Sequence, residues 1–190
     1  YNVVSFNKVI SMSAKGIMGG QNSTISHNNI TYCNQDAIWD IGSYNNIHSN
    51  YINDTISGIH CWTGDYNDIY NNTILNAGVG FSAGMYRSGL DLDRSMHNKF
   101  HNNCIDSCSI GVHLLGASGT NIYGNTITSS EGKKRNLGIG VNILGAPHTS
   151  VTKNNITLAD EMGIGVKHTH DDQWSYQSRD ITISENIIVN

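Results

Sequence analysis

A parallel β-helix, a coil of short strands stacked along one axis, is the fold this sequence predicts. Three observations predict it: a short unit that recurs eight times, a base period of 22 residues, and a composition of 25 Asn, 24 Ile and 20 Gly against one Pro in 190 residues. The unit is apolar, two residues, Asn, one residue, apolar. It reads Val4-x-x-Asn7-x-Val9, Ile25-x-x-Asn28-x-Ile30, Ile47-x-x-Asn50-x-Ile52 and Ile69-x-x-Asn72-x-Ile74. It continues as Phe100-x-x-Asn103-x-Ile105, Ile122-x-x-Asn125-x-Ile127, Val151-x-x-Asn154-x-Ile156 and Ile183-x-x-Asn186-x-Ile188. The Asn-to-Asn spacings are 21, 22, 22, 31, 22, 29 and 32, a constant period with three insertions.

The period decides between repeat architectures. Helical repeats run to roughly 33–47 residues, and the Leu pattern of leucine-rich repeats is missing. A β-sandwich with Asn-rich turns has no reason to keep a strict 22-residue spacing. One β-helix coil, with three short strands and three bends, fits 22 residues, and coils stack at about 4.8 Å. Each unit then has a physical role. The apolar positions point inward and stack into aliphatic columns. The Asn is expected to take the left-handed backbone of a sharp bend, and its amide to bond the Asn one coil above and below as a ladder. The expectation is about eight coils forming one domain over residues 1–190, as a processed product or an excerpt of a longer chain.

Composition excludes several classes. Charged residues are 14% of the chain, the net charge is -4 and the pI is about 6.1, so there is no basic stripe to bind nucleic acid. No apolar run approaches 18 residues, so no membrane span is expected. Hydrophobic residues make up 38% and recur regularly, unlike a disordered chain. The four cysteines, Cys33, Cys61, Cys104 and Cys108, contain no CxxC pair. Cys61 should point inward as a plain core residue. Cys33 and Cys108 sit three coils apart, too far to bridge, and Cys104 with Cys108 is the one local candidate for a disulfide. Sequons at Asn22, Asn29, Asn53, Asn71 and Asn155 permit glycosylation if the protein is exported from a eukaryote or archaeon.

A second register, Gly-apolar-x, sits at a constant offset before the next ladder Asn. It reads Gly58-Ile59-His60, Gly89-Leu90-Asp91, Gly111-Val112-His113 and Gly140-Val141-Asn142. Strand alternation places Ile59, Leu90, Val112 and Val141 inside, and His60, Asp91, His113 and Asn142 outside in one column. Ala37-Ile38-Trp39 and Gly165-Val166-Lys167 are read as its continuations. On this register the 31-residue gap carries its extra residues before Gly89, around 81–87. The 29-residue gap carries them within 129–136, with Lys133, Lys134 and Arg135 as a solvated basic tip. The 32-residue gap bulges after Lys167. All three insertions would wall a groove beside the column.

The column offers chemistry. A carboxylate between two imidazoles would hold both rings in one tautomer and suit a general acid or base, or the trio would hold a metal. Asp91 and Asp93 lie on one face, roughly 6.6 Å apart at the strand rise, a spacing between those of retaining and inverting glycoside hydrolases. Arg94 would clamp a substrate carboxylate. Trp39 and Trp62 would stack on sugar rings. The competing reading is a water-exposed ladder of polar cross-strand pairs. His168, His170, Asp171 and Asp172 are either a solvated loop or a site for Ca²⁺ or another divalent cation.

The pattern resembles the right-handed parallel β-helix repeat family, the superfamily of pectate lyases, polygalacturonases, alginate-modifying enzymes and NosD-like surface and periplasmic proteins. The resemblance spans Val4 to Ile188 and implies a single-stranded right-handed solenoid. None of the superfamily's well-known catalytic signatures is present: no Asn-Thr-Asp with Gly-Asp-Asp and Gly-His-Gly, and no Asp-Pro-His-Asp. The resemblance implies a secreted or cell-surface protein that binds or processes polysaccharide on the outward face of one sheet, as hydrolase, lyase or epimerase. His60, Asp91, Asp93, Arg94 and His113 would be its reacting residues, and Trp39, Trp62, Asn142 and Lys167 its substrate contacts. A lyase would use a Lys or Arg as base, and Lys167 could serve if the groove runs several coils. Two alternatives stand beside it. One is a structural surface protein or filament subunit that stacks end to end through uncapped coils. The other is a carbohydrate-binding module without catalysis.

Overall fold

A computed structural model of the chain describes all residues except 41, 85–94, 130–137, 158, 168, 171–174 and 190, and only the backbone at 169, 170, 175 and 176. Three parallel sheets wind as a solenoid. Sheet A has eight strands, from Asn2–Ser5 through Ser23–Ser26, Asn46–His48, Asp68–Tyr70, Lys99–His101, Asn121–Tyr123 and Ser150–Thr152 to Thr182–Ser184. Sheet B has eight, from Lys8–Ile10 to Ile187–Val189. Sheet C has seven: Ile17–Gly19, Asp36–Asp40, Ser57–Cys61, Val79–Gly84, Ile110–Leu115, Ile139–Leu144 and Met162–Lys167. The expected coil number and three-strand coil are both present. No helix among the described residues is long and apolar enough to cross a membrane.

The recurring unit builds the corner between sheets A and B. Its first apolar residue is the inward residue of each sheet A strand, with Ile25, Ile47, Ile69, Phe100, Ile122 and Val151 in register and buried. Its second apolar residue does the same in sheet B, with Ile30, Ile52, Ile74, Ile105, Ile127 and Ile156. Between the two columns runs the Asn ladder. Nδ2 of Asn7 donates to Oδ1 of Asn28 at 3.0 Å, and the link repeats through Asn50, Asn72, Asn103, Asn125 and Asn154 to Asn186. Each Oδ1 also accepts the backbone N–H of the preceding ladder Asn. Each Nδ2 from Asn28 onward also reaches back to a sheet A carbonyl. The corner's polar groups are thereby satisfied away from water.

One expectation about this corner is corrected. The left-handed residue is the one before the ladder Asn: Phe6 (φ 58), His27 (φ 55), Ser49 (φ 56), Asn71 (φ 52), Asn102 (φ 53), Gly124 (φ 64), Lys153 (φ 56) and Glu185 (φ 58). The turn is made one position early so that the Asn side chain can lie inside it and line up with its neighbours. Holding a non-Gly residue there costs about 1–2 kcal/mol, which the ladder bonds offset. A second corner repeats the device. Asn45, Asn67 and Asn98 each accept a backbone N–H from the preceding coil, from Ser23, Asn45 and Asn67. Each follows a left-handed Tyr44, Tyr66 or His97. Sequence reasoning missed this ladder, although its three Asn residues all sit five positions before a ladder Asn.

Sheet C opens with a column of glycines. A Cβ on Gly80 would lie 2.6 Å from the carbonyl oxygen of Gly111 and 2.8 Å from Cγ2 of Ile105. Gly58, Gly111 and Gly140 are equally hemmed by the next glycine's carbonyl and a sheet B isoleucine. This close approach is why Gly leads the sheet C motif. Beyond it, Phe81 stacks on Phe100 at 4.3 Å between ring centroids, both fully buried. A double-mutant cycle with Phe81→Leu and Phe100→Leu should show a coupling of about 1 kcal/mol in urea unfolding. Additive losses would mean that the rings contribute area alone.

The core also holds an acid. Asp40 is the inward residue between Gly19 and Cys61 in sheet C and is fully buried. Its Oδ1 accepts from Asn45 Nδ2 at 2.7 Å and from the Gly42 N–H at 3.3 Å, and the Cys61 thiol lies 3.8 Å from Oδ2. Gly19 makes room, since a Cβ there would meet Oδ1 at 2.7 Å. Burial pushes Asp40 up to about 7 despite those donors. Burial, and then Asp40 itself, hold the Cys61 thiol well above the usual range. Cys61 is a core residue as expected, and all four cysteines are free.

Along the end of sheet A, rings meet from coil to coil: Phe6, His27, His48, Tyr70, His101 and Tyr123, with centroids 4.6 to 5.6 Å apart, all stacked except the edge-on His27–His48 pair. Burial, and then His27, lower the His48 pKa.

Candidate functional site

Sheet C supplies the outward column. In register, Met18, Trp39, His60, Ser82, His113, Asn142 and Gly165 follow one another across seven coils. Trp39, His60, His113 and Asn142 therefore share one column, as expected.

Two register expectations are corrected. The place between His60 and His113 belongs to Ser82, with Phe81 inside it, not to Asp91 and Leu90. Gly80 keeps the spacing from the preceding ladder Asn, Gly89 keeps it from the following one, and the packing of Phe81 on Phe100 selects Gly80. The nine extra residues thus fall after the strand, between Gly84 and Ser95, not before it. Asp91, Asp93 and Arg94 lie outside the described residues. In the last coil the motif glycine is Gly163. Gly165 joins the column, Val166 pairs with Ile143, and Lys167 pairs with Leu144, one outward step along the strand. The 29-residue gap lengthens the link between Thr126–Thr128 and Ile139–Leu144, as expected, and its basic tip, 133–135, lies outside the described residues. The 32-residue gap follows Lys167, where Thr169–His170 and Ser175–Tyr176 pair antiparallel. The candidate metal residues His168, Asp171 and Asp172 and the His170 side chain lie outside the described residues. Among the described residues, no three His, Cys, Asp or Glu side chains are placed to hold a metal ion.

His60 has partners that sequence reasoning missed. Its Nδ1 lies 3.3 Å from Asp36 Oδ1 and its Nε2 lies 3.4 Å from the Gly84 carbonyl oxygen. Both partners are acceptors, so a neutral ring can donate to only one of them. The imidazole and carboxylate are 18% and 15% exposed, reachable yet partly shielded. Strict alternation back from Trp39 would turn Asp36 inward. It faces outward because Ala37 and Ile38 are both buried, a two-residue inward step that the Gly58-Ile59 pair repeats one coil later. Asp36 is paired in register with Ser57, from which the His60 ring is three residues along.

His113 is placed differently. Its Nδ1 lies 3.3 Å from Nδ2 of Asn142, a donor. Burial, and then His60, push its pKa below the ordinary histidine range, so the ring is neutral at pH 7. The two histidines sit two strands apart, about 9.6 Å at the backbone, with opposite hydrogen-bond environments.

The tryptophans stand beside this pair. Trp62 meets His60 edge-on at 5.3 Å and Trp39 at 6.2 Å between ring centroids. The ammonium of Lys15 lies 2.9 Å from the Trp39 ring centroid. One face of Trp39 is therefore taken by a cation, which leaves Trp62 as the better platform for a flat ligand.

The sequons are on the surface or close to it: Asn22, Asn29, Asn71 and Asn155 are exposed and Asn53 is half-buried.

No curated protein matches this chain. The family model for the right-handed β-helix region matches residues 2–139, and with it the parallel sheets and the Asn ladder place the chain in the right-handed β-helix family.

Proposed function

We propose that this β-helix, secreted or held at a cell surface, binds polysaccharide along the outward face of sheet C and processes it there as a hydrolase, lyase or epimerase. The Asp36–His60 pair, two strands from a neutral His113, carries the reading. His60, flanked by two acceptors, is suited to hold a proton and give it to a leaving oxygen. His113, neutral and with its one electron pair on Nδ1, is suited to take one there, from water or from a sugar carbon, as the Asn142 amide swings aside. Asp36 keeps the His60 ring oriented. Trp62 stacks on the adjoining sugar, Lys167 meets the chain further along sheet C, and Asp91, Asp93 and Arg94, which lie outside the described residues, complete the proposed set of reacting residues.

The test is a panel of neutral and acidic polysaccharides, read by new reducing ends and by the ultraviolet absorbance of unsaturated products. His60→Ala and His113→Ala should each lower turnover by about 10²–10⁴-fold, His60→Ala with binding retained, and Trp62→Ala should weaken binding. Binding without turnover in the wild type would leave a carbohydrate-binding module. Neither binding nor turnover on any member of the panel would overturn the proposal.

A further inference from the structure

We infer that His113 and Asn142 form a subsite that reads a hydrogen-bond donor, a hydroxyl or an acetamido N–H, on an uncharged sugar. The inference rests on sheet C's outward face being the glycan-binding face, and it names the substrate class at that site.

Asn142 stands in the outward column yet is only 9% exposed. Its Nδ2 is engaged with His113 Nδ1 at 3.3 Å, but its Oδ1 is buried with no hydrogen-bond partner. A buried acceptor without a donor costs about 1–3 kcal/mol, so native folds seldom leave one unless something else fills it. Among the described residues, the next coil offers no polar side chain to do so. The column position there is Gly165, and a Cβ on it would collide with Sδ of Met162, which lies across it as an apolar floor.

The unmet group is an acceptor, beside a ring that burial keeps neutral. A uronate carboxylate would bring a second acceptor to that oxygen and be repelled. A sugar hydroxyl or an amide N–H would bring the missing donor, with its carbon skeleton on Met162. Selectivity here comes from a polar atom awaiting one kind of partner, the arrangement that discriminates most sharply between ligands.

The experiment is calorimetric titration with neutral, N-acetylated and uronate oligosaccharides of equal length, on wild type, Asn142→Ala and Trp62→Ala. Uncharged oligosaccharides should bind more tightly than uronates, and Asn142→Ala should remove about tenfold of that preference, the equivalent of one hydrogen bond. The ratio of the neutral and N-acetylated arms identifies which donor is read. If Trp62→Ala weakens binding but Asn142→Ala does not, the subsite is wrong and the glycan-binding face stands. If neither variant changes binding, or nothing binds, both fail. A readout without ligand is the ¹⁵N spectrum of His113. The ring should carry its proton on Nε2, since Nδ1 accepts from the amide. A proton on Nδ1 would mean that it already donates to the Asn142 oxygen, which overturns the subsite whatever binds.

Discussion

Replacing Asn103 by alanine should lower the free energy of unfolding by about 3–5 kcal/mol. Asn103 lies midway along the ladder, and five hydrogen bonds end on its side chain. Oδ1 accepts from the backbone N–H of Asn72 at 2.9 Å and from its Nδ2 at 3.0 Å. Nδ2 donates to Asn125 Oδ1, to the Ile69 carbonyl and to the His101 carbonyl. Truncation leaves the Asn72 N–H and the facing amide of Asn125 short of partners inside a closed corner, where water does not replace them. The comparison is its neighbour Asn102, which carries the left-handed backbone at φ 53. Asn102→Gly should change stability by less than about 1 kcal/mol, since the lost side chain is offset by relief at that φ. Urea unfolding of both variants checks this. Equal losses at the two positions would mean that the corner is held by its backbone and not by the ladder.

Asp40 should give the fold a stability that falls between about pH 4 and pH 7. The folded carboxyl titrates at about 7, against an ordinary 3.8. Across that window the folded state holds a proton that the unfolded state has released, so raising the pH favours unfolding. The contribution is complete below the ordinary carboxylate range and lost above pH 7. Three pH units correspond to about 4 kcal/mol. His48 and His113, both lowered by burial, act in the opposite sense, with stability lost as pH falls below the ordinary histidine range. Asp40→Asn separates the two. An amide oxygen can still accept from Asn45 and Gly42, so the variant should be more stable than wild type at pH 8 and should show the histidine slope alone. Parallel wild-type and variant curves from pH 4 to pH 8 would show that Asp40 is ionised throughout or hydrated in the native state.

The sequence and the structure agree most closely where one residue does one thing in every coil. The Asn ladder and its two flanking aliphatic columns are legible because Asn and Ile return at a fixed spacing and no insertion separates them. The outward column is legible at His60, His113 and Asn142 for the same reason. It is lost at Asp91, where Gly80 and Gly89 offer the same motif on either side of an insertion. Only three-dimensional packing, Phe81 against Phe100, chooses between them. Asp36 is invisible to alternation because the two residues after it, Ala37 and Ile38, both turn inward. Asp40 reads as one more polar strand residue until its inward column, with Gly19 below it and Cys61 above, is known.

The three insertions have a feature in common. All of them enter between sheet B and sheet C or between sheet C and sheet A, and none enters between a sheet A strand and the sheet B strand that follows it. The chain is thus divided lengthwise into a spine that must be copied coil by coil and a flank that is free to change. A spine of amides tolerates only whole added coils, because a single displaced Asn would leave two neighbours unmatched. The flank pays no such toll. Its connections can lengthen, shorten or be exchanged without altering the rise of the solenoid. A lineage built this way can acquire new binding chemistry beside sheet C without its folding having to be solved again.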